Sequence, residues 1–404
     1  MTISRRSLFL ALGVAAPLTR GSAPTARTIT RGPKFHWFGY YDKLQFDPTS
    51  RYVLSNQVDF EHRSPRPDDT IQIGMVDTQD SDRWIELGET KAWNWQQGCM
   101  LQWVPGSKDE VLWNAREQGQ FVAHVLNVRT RKKRTIDSPV YALSADGKWG
   151  ITCDFRRLND CRPGYGYAAI SDPNKDKLIP DDVGVWKVDL KSGKRTLLVS
   201  IADAAGIPYP PGYSKNAKHW FNHLLISPDG KRFIFLHRWR GDKEGAGFST
   251  RMFTAGADGK DLHVLDPNGK TSHFIWRDVR SVLAWAWHPS NGENFYLFHD
   301  RTSNVEVVAP ELMTVNGHCT YLPGNRWILN DTYPDKDRLQ HVYLYDTQEN
   351  KRVPLGDFHS PKEYAGEWRC DTHPRSSPDG KKVVIDSAHA GGRQLHLIDL
   401  TINA

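Results

Sequence analysis

A short turn motif recurs along the 404-residue chain and constrains its fold more than any other feature. Three copies read "LSADGKW", "ISPDGKR" and "SSPDGKK", and four looser copies read "QFDPTSR", "QWVPGSK", "WHPSNGE" and "YLPGNRW". We call these seven segments the anchor turns, and identify them by Phe46, Trp103, Ser144, Ser227, His288, Tyr321 and Ser377. Turn motifs that return at intervals of tens of residues indicate a repeat architecture.

Strand-like runs follow most anchor turns, for example "RYVLSN", "RFIFLHRW" and "KVVIDS", and a second run then ends in a polar turn, as in "VYLYDTQENKRVPL". This density of strands and turns, with almost no helical periodicity, predicts an all-β protein. Units of about fifty residues match four-stranded propeller blades. We therefore predict a single seven-bladed β-propeller domain over residues 27–404.

Two other architectures stay open, a pair of β-sandwiches and an eight-bladed ring. The eight-bladed ring is an alternative because the stretch between Ser144 and Ser227 is long enough to contain another blade. Its segment "RRLNDCRPGYGYAAISDPNKDKLIPDD" is rich in turn formers, which favours a long loop instead. Loops of this length in compact domains are often functional.

Residues 1–26 have the pattern of an export signal. In "SRRSLFLALGVAAP" two arginines precede a short apolar run, which resembles a twin-arginine signal. An ordinary secretory signal is the alternative, and both predict a periplasmic or secreted bacterial protein. The apolar run is too short to span a bilayer, so we expect no integral membrane segment in the mature chain.

The net charge of the chain narrows the class of ligand. The net charge of +6 is mild and scattered, which argues against nucleic-acid binding but helps to attract an acidic ligand.

Cys153 and Cys161 are close enough in the sequence to form a disulfide in an oxidising compartment, although buried free thiols are expected for most of the five cysteines. The chain has no GxSxG elbow and no HExxH motif.

Histidines stand at a fixed distance from the anchor turns. His223 and His373 lie four residues before their turns, as do Asp42 and Cys99, and His318 is one residue off this register. In a propeller the strand before such a turn is the innermost, so these positions should converge at the axis. Three imidazoles with a nearby carboxylate can hold a divalent metal, and hydrogen-bonded histidines lining a water-filled channel are the alternative.

A second set of polar residues follows the anchor turns. His237 and Arg238 lie in "FLHRWR", and His273 and Arg277 lie in "TSHFIWRD". Together they would supply bases and cations to one side of the ring.

Five segments of the second half resemble the oligogalacturonate lyases, which are propeller enzymes that cleave short pectic uronate chains by β-elimination. They are "HLLISPDGKRFIFLHRW", "STRMFTAGADG", "TSHFIWRD", "NGHCTYLPGNRWILND" and "CDTHPRSSPDGKKVVIDS". Lyases acting on ulvan and on rhamnose-glucuronate links are more distantly similar. The first half, including "FHWFGYYDKLQFD", is predicted only as propeller blades.

The resemblance implies residue roles. His237 matches the proton-abstracting histidine, with Arg238 in place of an acidic neighbour, and His273 matches a metal ligand. His373 matches the last histidine of a Gln-x-x-His-x-His run, in which Asp371 replaces the other histidine and the glutamine is missing. The metal site is therefore altered, and a divalent metal (manganese, zinc or calcium) would be held by His273, His318, Asp371 and His373.

The predicted reaction is β-elimination from a uronate-containing acidic glycan. A metal, or arginines such as Arg238 and Arg277, would neutralise the uronate carboxylate. A neutral imidazole would then remove the C5 proton, with His237 as the predicted base and His223 as the reserve. Tyr167 in the "PGYGY" segment is the predicted proton donor.

Two other functions remain open. One is a non-catalytic propeller that binds a glycan or an envelope protein through the same channel. The other is a glycoside hydrolase, which would need a carboxylate pair such as Asp42 and Asp331, although nothing in their spacing supports this.

Overall fold

A computed structural model describes residues 25–241 and 247–401 of the chain. These residues form seven four-stranded antiparallel sheets, which are the blades of a β-propeller. The predicted all-β class and seven blades are confirmed, and the sandwich pair and the eight-bladed ring are excluded. Most of the predicted export signal, residues 1–24, lies outside the described residues. In the described part of the chain, no helix is both long and apolar enough to cross a membrane.

The blades follow one another along the chain. The N-terminal strand is β1 (Arg27–Thr28). Blade 1 contains β2 (Phe35–Trp37), β3 (Tyr52–Val58), β4 (Ile71–Asp77) and β5 (Arg83–Thr90). Blade 2 contains β6 (Gln102–Trp103), β7 (Glu110–Glu117), β8 (Gln120–Asn127) and β9 (Lys133–Ile136). Blade 3 contains β10 (Ala142–Leu143), β11 (Trp149–Thr152), β12 (Gly184–Asp189) and β13 (Arg195–Ser200), with helices α1 (Phe155–Cys161) and α2 (Ile201–Gly206) beside them.

The remaining blades are built in the same way. Blade 4 contains β14 (Lys218–Ile226), β15 (Arg232–Arg240), β16 (Ser249–Gly256) and β17 (His263–Asp266). Blade 5 contains β18 (Phe274–Trp276), β19 (Ser281–His288), β20 (Gly292–His299) and β21 (Val305–Val308). Blade 6 contains β22 (Thr320–Tyr321), β23 (Trp327–Asn330), β24 (Leu339–Asp346) and β25 (Lys351–His359). Blade 7 contains β26 (Arg375–Ser376), β27 (Lys382–Ser387) and β28 (Gln394–Asp399), after a 3-10 turn at Gly366–Trp368.

The N-terminal strand closes the ring. β1 pairs with β28 as the outer strand of blade 7, so this blade combines the two ends of the described chain. The Ile29 N–H donates to the Leu395 carbonyl at 2.9 Å, and the buried Ile29 side chain packs into a hydrophobic core. This shared blade holds the first and last parts of the propeller together.

The anchor turns have a common hydrogen-bonding pattern. In the turn at Ser227, the Ser227 hydroxyl donates to Asp229 Oδ1 at 2.8 Å, and the Gly230 N–H donates to the Ser227 carbonyl at 2.9 Å. Gly230 has φ +69°, a backbone conformation that favours glycine. The turns at Ser144 and Ser377 repeat these contacts, which explains why Ser, Asp and Gly recur at fixed spacing.

One anchor turn is not where the sequence placed it. The segment at His288 joins β19 to β20, the second and third strands of blade 5. The inner strand of that blade is β18, which begins directly after His273. Glycine, proline and asparagine are suited to turns at either end of a blade, so turn composition does not show whether the strand before the turn is the innermost.

The predicted long loop after β11 begins as a helix. In α1 the Asp154 carboxylate accepts the Arg156 N–H and caps the first turn, and Phe155 and Leu158 are buried. Helix α1 packs against β14, the inner strand of blade 4, and in the "PGYGY" segment that follows it the Tyr165 hydroxyl accepts a hydrogen bond from Arg369. Cys153 and Cys161 are free thiols, so the disulfide considered between them does not form.

Candidate active site at the propeller axis

Four of the predicted histidines meet at the axis. His223 lies in β14, and His273, His318 and His373 lie just before the inner strands β18, β22 and β26. The His318 ring centroid is 4.1 Å from that of His373 and 4.2 Å from that of His273. All four side chains are buried.

A repeated backbone kink accompanies His223 and His373. Both residues have positive φ, +52° and +38°, which is uncommon for residues other than glycine. The pairing of β14 with β15 shifts register between Asn222 and Leu224, so His223 is left out of the ladder as in a β-bulge. Bulges re-aim side chains and are frequent next to active sites. The equal spacing of these two histidines from their turns therefore corresponds to a shared local conformation.

Asp331 connects two of these histidines. Its carboxylate accepts hydrogen bonds from His318 Nδ1 at 2.9 Å, the His318 N–H at 2.7 Å, the Thr372 hydroxyl at 2.6 Å and the His373 N–H at 3.0 Å. In the neutral ring, the contact with Nδ1 places the proton there and leaves the lone pair on Nε2 of His318. A carboxylate that orients a histidine in this way is a common partner of metal ligands.

His318, Asp371 and His373 could hold a metal ion. Each offers one ligand atom, and these three atoms lie within 4.8 Å of one another. The Nε2 atoms of His318 and His373 are buried without a hydrogen-bond partner, which is costly for polar atoms unless something binds them. His273 lies beside this trio, with its Nδ1 atom 3.0 Å from Asn316 Oδ1. Two imidazoles and a carboxylate are a donor set that divalent transition metals accept.

The electrostatics favour neutral imidazoles at this site. Burial, and secondarily the neighbouring His318, holds the pKa of His273 and of His373 well below the usual value. Both rings are therefore unprotonated near neutral pH, which is the form that binds metals.

Tyr40 and Tyr41 of blade 1 enter the site although the sequence did not assign them to it, and Asp42 lies beside His223 as its register predicts. The segment after β2 places the Tyr40 ring 5.4 Å from His373 and the Tyr41 ring 5.4 Å from His318. His223 Nδ1 lies 3.3 Å from the Tyr40 hydroxyl, and its Nε2 atom lies 3.2 Å from Asp42 Oδ2. The register of Asp42, four residues before its anchor turn, was the one signal that could have located this segment.

Asp42 is a buried, charged group. Its carboxylate forms an ion pair with Lys43 at 2.7 Å, and neither side chain is more than 3% exposed. Burial opposes ionisation of Asp42, but Lys43 and His223 outweigh burial and lower its pKa. Burial also lowers the pKa of His223, so this pair combines a carboxylate with a neutral imidazole.

Arg369, Arg162 and Tyr165 lie beside the metal-capable trio. Arg369 Nε donates to Asp371 Oδ2 at 2.7 Å, and its Nη2 atom donates to the Tyr165 hydroxyl at 2.7 Å. The Arg162 guanidinium carbon lies 3.8 Å from the centre of the Tyr165 ring. Burial raises the pKa of Tyr165, but the two arginines outweigh burial and lower it. The sequence could not identify these residues because they are adjacent only in the folded chain.

Tyr333 completes this side of the site. Its ring lies 5.6 Å from that of His318 and 5.9 Å from the Arg369 guanidinium carbon. Burial raises its pKa above the usual range, so its hydroxyl is protonated.

Tyr167 and His237 occupy other positions. The Tyr167 hydroxyl accepts a hydrogen bond from Asn114 Nδ2 at 2.9 Å, and its ring stacks on Phe155. His237 lies on β15 with its Nε2 atom 2.8 Å from His219 Nδ1. In the described part of the chain, neither ring contacts the four histidines at the axis.

Arg277 and Arg238 lie apart from each other. Arg277 lines a cavity of about 520 Å³ at the mouth of the axis where the anchor turns lie, together with Lys43 and Tyr321. Arg238 lies near the other end of blade 4, with its guanidinium carbon 4.7 Å from the Phe248 ring centre. The two arginines therefore do not face one common carboxylate.

Comparison with known proteins supports the fold. No model of a known protein family and no curated protein matches the chain. Among solved structures, an oligogalacturonate lyase from Vibrio parahaemolyticus is similar with a TM-score of 0.66 and 13% identity, over 94% of each chain. An oligogalacturonate lyase in complex with manganese has a TM-score of 0.66 and 14% identity, also over 94% of each chain. The tricorn protease matches with a TM-score of 0.52 and 11% identity, over 95% of this chain and 34% of its own.

Proposed function

We propose that this chain is a polysaccharide lyase that cleaves a uronate-containing acidic glycan by β-elimination. The observation that carries the proposal is the buried trio His318, Asp371 and His373, in which both histidines keep an unpartnered Nε2 atom beside arginines. The similarity of the whole fold to two oligogalacturonate lyase structures supports the same reading.

The residues at the axis fit a divalent metal. His318, Asp371 and His373 would hold it, and His273 lies next to them. The imidazole donors favour manganese or zinc over calcium, which prefers oxygen ligands. When bound, such a metal supplies a Lewis acid that neutralises the uronate carboxylate. One of the similar lyase structures is a manganese complex, which supports a divalent metal here.

The arginines provide a second means of binding the carboxylate. Arg369 is oriented by Asp371, and Arg162 by stacking on Tyr165. Guanidinium groups bind carboxylates with two parallel hydrogen bonds and keep their charge at all relevant pH values. Fixed cations at this position would stabilise the negative charge that develops when the C5 proton leaves.

Proton transfer is assigned to groups close to these cations. The base takes the C5 proton, the electron pair of that bond forms the C4–C5 double bond, the C4–O bond breaks, and the leaving oxygen gains a proton. Tyr165, with its lowered pKa, is suited to one of these transfers, and His223 with Asp42 is the reserve base. The assignments of His237 as base and Tyr167 as proton donor stay predictions from the resemblance.

The proposal is tested by screening purified protein against a panel of uronate-containing polysaccharides. The product of β-elimination is unsaturated and absorbs in the ultraviolet, whereas a hydrolase releases saturated products. We expect ultraviolet absorbance that falls after chelation, and that is lost in His318→Ala and His373→Ala. The control is His359→Ala, which changes an exposed histidine of β25. Cleavage of a polysaccharide by the wild type with only saturated products would contradict the proposal. Full wild-type activity in both His318→Ala and His373→Ala would contradict it too.

A non-catalytic propeller that binds a glycan or an envelope protein is the second candidate. The observation that favours it is the burial of the trio, whose members are 1%, 4% and 3% exposed in chain order. Binding of an acidic polysaccharide without any unsaturated product, with or without added metal, would support this function instead.

A further inference from the structure

Four turns of blades 2 and 3 lie together on the anchor-turn side of the ring. They are the anchor turns of both blades and the turns between the third and fourth strands of each blade. In blade 2 the Val128 N–H donates to the Asp109 carbonyl at 2.7 Å, and in blade 3 the Leu190 N–H donates to the Lys148 carbonyl at 3.0 Å. Arg134 Nη1 donates to the Leu190 carbonyl at 2.6 Å and links the two blades. The four turns therefore form one connected surface.

This surface is rich in exposed cations, which we call the basic face. Its members are Lys108, Arg129, Arg131, Lys132, Lys133, Lys148, Lys191 and Lys194. The run "RTRKKR" supplies four of them from one turn and the start of β9. The fold adds the others from three turns that are distant from this run in the sequence, so a charge that is mild over the whole chain is concentrated here.

Most of these cations have no acidic partner. Arg129 pairs with Asp109 at 2.6 Å, and Lys148 lies 3.9 Å from Asp146. The carboxylate of Asp189, beside the same turns, accepts hydrogen bonds from the N–H groups of Lys191 and Ser192 and from the Ser192 hydroxyl. Within residues 25–241 and 247–401, no ion pair neutralises the five lysines Lys108, Lys132, Lys133, Lys191 and Lys194.

Protection of strand edges accounts for only part of the basic face. Lysines on an outer strand discourage pairing with another sheet, and Lys133 lies on β9, the outer strand of blade 2. The other four unpaired lysines lie in turns, where no strand edge needs protection. These four therefore call for another explanation, and charge complementarity points to a negatively charged partner.

The arrangement of the cations favours a broad, flat partner. They are spread over four turns of two blades, so a small anion can contact only a few of them, whereas a planar anionic surface can contact many at once. An exposed apolar side chain lies beside them, because Leu197 is 37% exposed and follows Lys194 by three residues on β13. Exposed cations with an apolar neighbour are typical of peripheral contact with anionic lipids.

The position of the basic face is compatible with a working site at the axis. His318 and His373 lie just before inner strands that run towards the anchor turns, so these histidines lie away from the end of the axis at which the turns are found. A flat surface bound at the turns of blades 2 and 3 therefore does not cover the histidine end.

We propose that the basic face docks this protein onto an anionic phospholipid surface, with Leu197 at the interface. Docking of this kind is peripheral and depends on charge, so it weakens as salt is added. It does not depend on the proposed lyase function, because phospholipid vesicles contain no uronate.

The test is cosedimentation of the full chain with vesicles of phosphatidylcholine alone or of phosphatidylcholine mixed with phosphatidylglycerol. The variant Lys132→Gln/Lys191→Gln removes one unpaired lysine from each blade. The matched control is Lys336→Gln/Lys351→Gln, which removes two exposed lysines from blade 6. Leu197→Ser tests the apolar contact, and thermal melts verify that each variant is folded.

We expect wild type to bind the mixed vesicles and not those of phosphatidylcholine alone, with an affinity that falls as salt is added. Each lysine near an anionic surface contributes about fivefold to affinity, so Lys132→Gln/Lys191→Gln should bind about 30-fold more weakly. The blade 6 control should match wild type. Leu197→Ser should bind the vesicles more weakly and bind dextran sulfate, a soluble polyanion, as wild type does.

Three results would overturn the proposal. The first is no binding to the mixed vesicles at low salt. The second is equal affinity of the two double variants, which would show that net charge rather than the basic face matters. The third is binding of duplex DNA or polygalacturonate through Lys132 and Lys191 without binding of vesicles, which would identify a soluble polyanion as the partner.

Discussion

At the residue scale, Asp331 organises the candidate metal site without being one of the three ligands. It accepts four hydrogen bonds from His318, Thr372 and His373 and is fully buried. The orientation of His318 Nε2 and the backbone at His373 therefore both depend on one carboxylate.

Asp331→Asn should weaken metal binding about 10- to 100-fold, because the amide has one acceptor oxygen where the carboxylate has two. Titration calorimetry with manganese and zinc measures the change. Asp346→Asn is the control, since the buried carboxylate of Asp346 in the same blade forms an ion pair with the partly exposed Arg326, away from the axis. Equal metal affinity in wild type and Asp331→Asn would show that Asp331 has no role in the site.

The two tyrosines of the "PGYGY" segment provide a matched pair. Tyr165 lies between two arginines that lower its pKa, whereas Tyr167 is packed on Phe155 and hydrogen-bonded to Asn114. Tyr165→Phe should reduce kcat about 100-fold or more if Tyr165 transfers a proton. Tyr167→Phe should retain activity and lose about 1 kcal/mol of stability with its hydrogen bond.

The pH profile separates the role of Tyr165 from a structural one. If Tyr165 donates a proton, the wild-type rate falls as pH rises through its lowered pKa, and this alkaline limb is absent from the residual activity of Tyr165→Phe. A full loss of activity in Tyr167→Phe with no loss in Tyr165→Phe would reverse the assignment.

At the element scale, the inner strands could be predicted from the anchor turns, and so could the meeting of His223, His318 and His373. The misplaced turn at His288 hid the position of β18, so the turn pattern groups His273 with His237, and only the family resemblance places His273 with the axis histidines His318 and His373. In blade 1 the inner segment leaves the strand pairing after Trp37, so strand alternation gave no indication that Tyr40 would reach the site. Local patterns predict strands well, but they do not show which loops the tertiary packing directs inward.

Ring closure by β1 makes a prediction about stability. Ile29 is 1% exposed and packs at the junction of the two chain ends. Ile29→Ala should destabilise the protein by about 2–5 kcal/mol, the usual range for a buried isoleucine. Leu44→Ala, at a side chain that is 49% exposed, should change stability by about 0.5 kcal/mol or less. Urea unfolding measures both, and equal effects would argue against closure through β1.

The junction of blades 1 and 7 should also be sensitive to acid. Buried His36 donates from Nδ1 to Gln394 Oε1 at 2.9 Å and accepts from Gln57 Nε2 at 2.8 Å, and the second contact needs the neutral ring. Burial lowers the pKa of His36 to about 4. The unfolded chain therefore binds the proton more tightly, and stability is fully present above about pH 6.5 and lost as pH falls towards 4.

The expected loss from His36 alone is about 3 kcal/mol between these pH values. His36→Gln should flatten the fall in unfolding free energy measured by urea titration at several pH values. His219 and His396, whose pKa values burial also lowers to about 4, should contribute similar losses. An unchanged slope in His36→Gln would contradict the assignment.

At the scale of the whole molecule, the propeller brings chemistry from five blades to one axis. Blade 1 supplies Asp42, blade 4 supplies His223, and blades 5, 6 and 7 supply His273, His318 and His373. Arg369 and Arg162 then place positive charge beside these residues. The proposed elimination next to a carboxylate rests on this arrangement of imidazoles, a metal-capable trio and cations.

The most direct measurement is the formation of unsaturated sugar from an acidic polysaccharide, followed by ultraviolet absorbance with wild type and His373→Ala side by side. We expect absorbance with at least one uronate polymer for wild type, its loss in His373→Ala, and its loss on chelation. Saturated products, or equal absorbance from wild type and His373→Ala, would contradict the proposed elimination.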